Sequence, residues 1–174
     1  NIEQTSSLDK LSLEHRHPLA SMVWGVRFLP WLAGAALLWV VPGLDVKTQG
    51  AGTLIVLLAL GFPMVLFLTF AAHLIHRAIH SPKKLTFTKD DIYYQTAFYQ
   101  LRTHWLNVEA VSKNASSDEP QALLLKEPAE VVDSFIFAPT AAELKSIPLA
   151  LFCVADSASV ALWLQKHDLP EQRL

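Results

Sequence analysis

The feature that most constrains the fold is an uncharged stretch in the middle of the chain. Between Gln49 and Ala72 the sequence contains no Asp, Glu, Lys or Arg, and most of the residues there are apolar. Because an α-helix rises about 1.5 Å per residue, an apolar stretch of this length is enough to cross the roughly 30 Å hydrocarbon core of a bilayer. The sequence therefore predicts a transmembrane helix over about residues 52–75.

A second apolar segment precedes this helix, over about residues 18–41. Arg27 lies close enough to the start of that segment for its long side chain to reach the lipid headgroups. Pro30 removes one backbone donor and is expected to kink the helix. Because the two apolar segments are joined by a short polar loop, we expect an antiparallel transmembrane hairpin over residues 18–80, preceded by a polar segment at residues 1–17.

The distribution of charge predicts an orientation and limits the partners. Residues 1–84 contain seven Lys and Arg and four Asp and Glu, whereas residues 85–174 contain seven and twelve. Most basic residues of the first part flank the two predicted spans, and Lys47 alone lies between them, so both termini are expected in the cytoplasm. Residues 85–174 have a net charge of −5 and lack the excess of basic residues that nucleic-acid-binding proteins carry.

Beyond residue 81 the hydrophobic pattern changes to short alternating segments typical of β-strands. The predicted strands cover residues 84–88, 92–98, 101–105 with a continuation toward 111, 122–125, 131–137 and 147–154. Pro139 opens a short helical turn, and a last helix runs over residues 157–166. These elements predict an α+β membrane protein, in which the hairpin is followed by a cytoplasmic sheet or sandwich plugged by the C-terminal helix, over residues 82–174.

The sequence LTFTKDDIYYQTAFYQLRTHWLNVEAV, at residues 85–111, resembles bacterial pleckstrin-homology-like domain proteins that a transmembrane hairpin anchors in the inner membrane. The residues that carry the resemblance are Leu85, Phe87, Thr88, Ile92 and Tyr94, with the spacing of Trp105, Val108 and Val111. The apolar run IPLALF and the helix after it match the close of the family's domain. The resemblance implies a pleckstrin-homology-like β-sandwich or barrel that serves as a binding or scaffolding module and has no enzyme activity.

Three histidines form the sharpest candidate site. His73, His76 and His80 are spaced by three and four residues, which places them on one face of a helix. Such a face is able to bind Zn²⁺ or haem, but the first span has no histidine to act as an opposing ligand. Because these residues lie where the helix leaves the bilayer, we expect interfacial anchoring or subunit contact, with no cofactor bound.

A basic group lies beside the predicted spans. Arg27, Arg77, Lys83 and Lys84 are expected to contact anionic lipid headgroups. For the cluster of Arg77, Lys83, Lys84 and Lys89, a specific phosphate site is the alternative. The turn at residues 89–91 lacks the clustered basic residues with which pleckstrin-homology domains hold phosphoinositides, so headgroup binding by the sandwich itself is not expected.

The remaining candidate residues have structural interpretations. Trp105 is expected as an aromatic residue of the core or of the edge of the sheet rather than as a ligand platform. The paired acids Asp90 and Asp91, and likewise Asp118 and Glu119, are expected to be solvated turn residues. Cys153 is expected to be a buried thiol of the last strand.

The sequence contains no glycine-rich phosphate loop, cysteine pair, HExxH motif or nucleophile elbow. We therefore expect a non-enzymatic accessory or scaffold subunit of the bacterial inner membrane. Its expected partners are membrane lipids and a protein within a larger membrane assembly, and neither nucleic acid nor a small-molecule substrate. Two alternatives remain open: a metal- or haem-handling subunit that uses the three histidines, and a module that senses anionic lipids.

Overall fold

The computed structural model describes residues 5–7, 10–18, 23–40, 46–114 and 119–173, which belong to two compact units. His17–His80 form one unit, here called the helical unit. Asn1–Arg16 and Ser81–Leu174 together form the other, here called the β unit. The α+β class with sheets of mostly antiparallel strands confirms the predicted fold class at that level.

The helical unit contains a 3₁₀ helix, Val23–Phe28, followed by α1, Leu29–Val40, and α2, Val46–His80. Gly50 interrupts α2 with a φ of 76°, a conformation that residues with a Cβ atom rarely adopt. In the described part of the chain, one helix is long and apolar enough to cross a membrane: Leu58–His80, with a mean hydropathy of 2.1.

The first predicted span differs from a single continuous α-helix. Its described part is the 3₁₀ helix and then α1, and Pro30 is the second residue of α1. Proline is tolerated in the first turn of an α-helix, because the N–H that it lacks has no partner within the helix there. Pro30 therefore marks the start of the α-helix rather than a kink within it.

The strands of the β unit are β1 (Thr5–Ser7), β2 (Lys10–His15), β3 (Lys83–Thr88), β4 (Asp91–Gln95), β5 (Tyr99–His104), β6 (Val108–Lys113), β7 (Pro120–Leu125), β8 (Glu130–Ser134), β9 (Ser146–Pro148) and β10 (Glu171–Arg173). The larger sheet has the order β1-β2-β3-β4-β5-β8 and is antiparallel throughout. The smaller has the order β10-β6-β7-β9, in which only β10 and β6 are parallel.

The polar N-terminal segment supplies part of the larger sheet, which the sequence analysis did not anticipate. β2 pairs with β3 so that Leu13 lies opposite Leu85 and Leu11 lies opposite Phe87. All four side chains are buried in the core. The alternation of Leu11 and Leu13 with polar neighbours is the period of a half-buried strand, so the signal was present in the sequence.

One core is formed by both sheets and the last helix. Two further helices complete the unit, α3 (Ala141–Lys145) and α4 (Ala150–Lys166). Phe152 of α4 contacts Tyr94 edge-on, with the ring centroids 6.4 Å apart, and Val160 is fully buried. The predicted strand at residues 147–154 is therefore wrong beyond Pro148, since a short apolar run does not distinguish a strand from a buried helix by its periodicity.

Three other predicted strands are shorter than expected. The strand predicted at 92–98 ends at Gln95. The run at 101–111 divides into β5, a 3₁₀ turn at Trp105–Asn107 and β6. The strand predicted at 131–137 ends at Ser134. The predicted helical turn after Pro139 corresponds to α3, where Thr140 and Glu143 form a capping box by exchanging hydrogen bonds between side chain and backbone.

The two strands that connect to the helical unit, β2 and β3, do so at the same end of the larger sheet. His15 at the end of β2 lies opposite Lys83 at the start of β3. Along the same edge follow the pair Gln95 and Gln100 and then Tyr99 with Ser134. The chain leaves the β unit after Arg16 and re-enters it at Ser81, beside this row of residues. We call this boundary the linker edge.

The buried position of β2 predicts that the N-terminal segment contributes to stability. Leu13→Ala, at a residue only 2% exposed, should lower the free energy of unfolding by about 3 kcal/mol, because it removes apolar contacts and leaves a cavity. Chemical denaturation of the full chain in detergent measures this loss. Leu106→Ala, at a leucine 89% exposed, is the matched control and should change it by less than about 0.5 kcal/mol. Equal effects would contradict the assignment of β2 to the core.

Candidate functional site

An ordered polar cluster lies on β4 and β5, centred on Asp91. The register places Asp91 opposite His104 and Tyr93 opposite Arg102. Nε and Nη2 of Arg102 donate to Oδ2 of Asp91 at 3.2 and 2.9 Å, and the Tyr93 hydroxyl donates to the same oxygen at 3.3 Å. Nδ1 of His104 lies against Oδ1. The four side chains hold one another in place, and we call them the Asp91 cluster.

The expectation that Asp91 is a solvated turn residue is wrong. Asp91 is the first residue of β4 and is only 8% exposed. Its carboxylate raises the pKa of Arg102 above the ordinary value through hydrogen bonding and charge, so the guanidinium remains protonated. Asp90 is exposed as expected, Glu119 is also exposed, and Asp118 lies outside the described residues. Two adjacent acids do not indicate by themselves that Asp91, the second of them, pairs with Arg102 on the neighbouring strand.

The Asp91 cluster belongs to a polar face of the larger sheet. The residues of this face alternate with core residues: Lys10, Ser12 and Glu14 of β2; Lys84, Thr86 and Thr88 of β3; Asp91, Tyr93 and Gln95 of β4; Gln100, Arg102 and His104 of β5. The opposite side chains of these strands enter the core. A half-buried antiparallel sheet has this division between an apolar and a polar face.

Two clefts indent the β unit at this face. One, of about 450 Å³, lies beside Arg102 and His104 and extends to Lys126 and Glu130. The other, of about 290 Å³, is lined by Lys10, Lys84, two threonines, Tyr93 and two glutamines. The residues that line the smaller cleft include two positive charges and no acid, so this cleft favours a negatively charged group.

A second surface of the β unit is apolar. Residues 135–137, Phe-Ile-Phe, follow β8 at the linker edge, and all three side chains are exposed. Ile136 is 52% exposed and Phe137 is 49% exposed. We call these three residues the apolar tip. The sequence predicts a strand here because consecutive aromatic and β-branched residues are also typical of strands.

The apolar tip has an unusual backbone. The N–H of Phe137 donates to the carbonyl of Phe135 at 2.7 Å, which closes a three-residue γ-turn around Ile136. Ile136 has a φ of 64°, which is rare for a β-branched residue. The N–H of Phe135 donates to the carbonyl of Phe98 at 2.6 Å, and the rings of Phe98 and Phe137 meet edge-on with centroids 5.1 Å apart. These contacts hold the turn in one conformation.

The three predicted histidines lie in α2. The rings of His76 and His80 stack with centroids 4.9 Å apart, and His73 is exposed. Among the residues that the structure describes, no group of three or more His, Cys, Asp or Glu side chains is arranged to hold a metal ion. The histidines therefore have the spacing that the metal or haem alternative requires, but the described residues do not assemble a set of ligands around them.

The residues predicted to contact lipid are spread over both units. Lys83 and Lys84 are exposed at the start of β3. Arg77 lies in the last turn of α2 and is half-buried. Arg27 belongs to the 3₁₀ helix, and its side chain lies outside the described residues. Arg27 and Arg77 belong to the helical unit, and Lys83 and Lys84 belong to the β unit.

A groove of about 570 Å³ lies within the helical unit. On one side it is lined by Pro30, Trp31, Gly34 and Ala35 of α1, and on the other by Val65, Thr69, Ala72, His73 and His76 of α2. Small residues from both helices contribute to it. Two of the three candidate histidines contribute to its wall.

Trp105 lies in the core, as predicted. Its Nε1 donates to the carbonyl of Thr88 at 2.8 Å, and its ring stacks on His167 with the centroids 4.0 Å apart. Nε2 of His167 is buried and has no hydrogen-bond partner in the described part of the chain. Burial, with a smaller effect from the charge of Lys166, lowers the pKa of His167 below its ordinary value. The imidazole is therefore held neutral.

Cys153 is buried, as predicted, but it lies in α4 rather than in a strand. Burial, together with the charge of Glu119, raises the pKa of the thiol to about 11. Since the thiolate is the reactive form, this residue has the properties of a structural cysteine.

Comparison of the chain with protein-family models, with curated proteins and with solved structures finds no match in any of the three.

The half-buried imidazole of His167 predicts a pH dependence of stability. Its pKa is lower in the folded than in the unfolded state, so the unfolded state takes up the proton first as the pH falls. The free energy of unfolding should therefore decrease as the pH falls below about 6.5. His167→Phe keeps an aromatic ring against Trp105 and should weaken this decrease. Denaturation curves between about pH 7.5 and about pH 5 test this, and an unchanged pH dependence in the variant would contradict it.

The backbone of Ile136 predicts a stabilising substitution. Ile136→Asn should raise the free energy of unfolding by about 1 kcal/mol, because asparagine tolerates positive φ and a β-branched residue does not. Thermal or chemical denaturation in detergent measures the change. Val132→Asn, at an exposed residue of β8 that has no positive φ, is the matched control and should give no gain. A loss of stability in Ile136→Asn would show that the turn is not strained.

Proposed function

We propose that this chain is a non-enzymatic accessory protein of the bacterial inner membrane, whose pleckstrin-homology-like β unit binds a protein partner within a larger membrane assembly. The observation that carries the proposal is the polar face of the larger sheet. It presents charged and hydrogen-bonding side chains on a rigid sheet, and the Asp91 cluster fixes several of them before any partner arrives. Ordered side chains lose less conformational entropy on binding, which favours recognition.

The helical unit supports anchoring in a membrane. Only 11% of the most apolar window of Leu58–His80 is buried, whereas a core helix of a soluble protein is mostly buried. Large apolar side chains such as Leu60, Phe62 and Phe67 are exposed along α2. Exposure on this scale is costly in water and favourable in lipid.

The described geometry also suits a second span, and hence a transmembrane hairpin. The six residues of the 3₁₀ helix and the twelve of α1 extend over about 12 and 18 Å, together about the thickness of the hydrocarbon core. Both elements contact α2. With two spans the termini lie on the same side of the membrane, and the excess of Lys and Arg outside the connecting segment favours the cytoplasm for that side.

The partner that the polar face fits best carries acidic side chains. Lys10 and Lys84 line the smaller cleft, and no acid is among its lining residues, although Glu14 lies opposite Lys84 in the sheet. Arg102 is already paired with Asp91. A carboxylate that enters this cleft meets two ammonium groups and the hydroxyl and amide donors between them. Neighbouring acids such as Glu14 reduce the positive electrostatic potential of the polar face. The charge complementarity to an acidic partner is therefore provided by the smaller cleft and not by the whole sheet.

The assembly and its docking face are tested together on the full chain, extracted from its own host in mild detergent. The native particle should be larger than the 19.3 kDa chain and should contain a stoichiometric partner. The double variant Lys10→Glu and Lys84→Glu should lose that partner, because it places negative charge in the cleft. Pull-down with quantification of the partner measures the loss, which should be at least about tenfold if two charge pairs are replaced by repulsion.

The matched control for this experiment is the double variant Lys89→Glu and Lys145→Glu. Both lysines are exposed, and neither lines a described cleft of the β unit. This control makes the same change in net charge and should keep the partner. A lone chain or a pure homo-oligomer in the native extract would refute the accessory role, and loss of the partner in both double variants would refute the docking face.

A further inference from the structure

The groove of the helical unit has the size and the lining of a small-molecule site. Its volume of about 570 Å³ falls within the range of about 300 to 1,000 Å³ that ligand pockets usually have. Its walls are mostly apolar, and its polar side chains, Thr69, His73 and His76, are spaced by four and three residues along α2. Ligand sites combine an apolar wall with a few polar groups in the same way.

The two ends of the groove differ in polarity. On α2 it extends from Val65 to His76, a distance of about 16 Å along the helix axis. Thr69 is the central residue of the membrane-length helix Leu58–His80, whereas His76 lies about one turn from its end. In a bilayer the apolar end would therefore lie near the midplane, and the imidazoles would lie closer to the headgroups. This gradient matches a molecule with a polar head and an apolar tail.

The polar side chains of the groove have unused hydrogen-bonding capacity. The hydroxyl of Thr69 donates to the carbonyl of Val65 at 2.7 Å, which leaves its oxygen as an acceptor. The imidazole of His73 is exposed and has no hydrogen-bond partner within the described residues. Polar side chains within a span are costly in hydrocarbon and usually mark functional sites. A ligand that pairs with His73 would remove part of this cost.

The lining does not suit an ordinary phospholipid. None of the residues that line the groove is Asp, Glu, Lys or Arg, so a phosphate headgroup would find no opposite charge there. A bare acyl chain would leave Thr69 and His73 without a partner. Trp31, which is 78% exposed, lines the α1 side and offers an aromatic surface against which a planar ring packs well. The occupant that fits is uncharged, planar at its polar end and apolar at the other.

Gly34 provides space for this occupant. Beyond the backbone of α1 itself, no atom lies within 4 Å of the place where a Cβ atom of Gly34 would stand. Ala35 of α1 and Ala72 of α2 line the same groove, and their side chains are also small. The small residues therefore leave the groove open, while Trp31 and His73 supply its chemistry.

We infer that this groove binds a lipid-soluble quinone, with a carbonyl at His73, the ring against Trp31 and the tail toward Val65. A quinone is uncharged, and the carbonyl oxygens of its planar ring accept hydrogen bonds from an imidazole N–H. Its tail is apolar and suits the hydrocarbon layer. The inference concerns binding and involves no electron transfer. It rests on the proposed membrane anchoring, is independent of the protein partner, and adds a small molecule that the sequence analysis did not predict.

The test uses the full chain in phosphatidylcholine nanodiscs, with tritium-labelled decylubiquinone as the probe. Empty nanodiscs of the same lipid measure how much probe merely dissolves in the bilayer. The native chain should bind the probe saturably above that background. Gly34→Leu should weaken binding by at least about tenfold, because the leucine side chain fills the groove. Gly52→Leu is the matched control, since Gly52 is also helical with open space around it but does not line the groove.

A second pair of variants tests the hydrogen bond. His73→Phe keeps an aromatic ring but removes the donor, and it should weaken binding by about fivefold. His80→Phe makes the same change at a histidine that does not line the groove, and it keeps a ring to stack on His76. This control should bind the probe as the native chain does.

Uptake that does not exceed that of empty nanodiscs would overturn the inference, as would equal affinity in Gly34→Leu and the native chain. If Gly34→Leu keeps the quinone but loses the co-isolated protein partner, the groove holds a transmembrane helix of that partner, and the inference is also overturned. A chain that does not enter nanodiscs would refute the membrane anchoring together with this inference. A chain that enters them and binds no quinone would refute this inference alone.

Discussion

The pairing of β2 with β3 is the interaction on which the rest of the structure depends. It joins the chain before the helical unit to the chain after it, and it brings Leu11 and Leu13 against the core opposite Phe87 and Leu85. Without β2 the larger sheet would end at β3, and those core side chains would lose their neighbours on that side. The antiparallel register of the pair also returns both connections to one edge of the sheet, which sets where every later strand begins and ends.

The same ladder separates two surfaces of different chemistry. Because side chains alternate across a strand, the residues between the core positions form the polar face, on which Asp91 meets Arg102 from the next strand. At the linker edge the ladder stops and the apolar tip begins. The charged cleft on this rigid sheet suits the acidic protein partner that we propose.

Much of the architecture follows from local pattern. The apolar helix of α2, the change to short strands after it and most strand positions were predictable from the period of the hydrophobic residues. The structures of residues 150–154 and 135–137 were not predictable. Short apolar and aromatic runs occur in strands, helices and turns alike, and the contacts with distant segments decide between them. The candidate site was less predictable still: Asp91 was assigned to a solvated turn, and its partner is eleven residues away in the sequence.

The sequence by itself determined that this chain contains a membrane-length apolar helix and a separate, mostly β region, since both follow from composition and periodicity within short windows. Only the tertiary structure decided which strands are neighbours, that the N-terminal segment extends the larger sheet beside β3, and that Asp91 is a buried acceptor for Arg102. It also decided that residues 135–137 form an exposed turn at the linker edge. These features depend on contacts between distant segments, whose register is set by the packing of the whole core and not by any local preference.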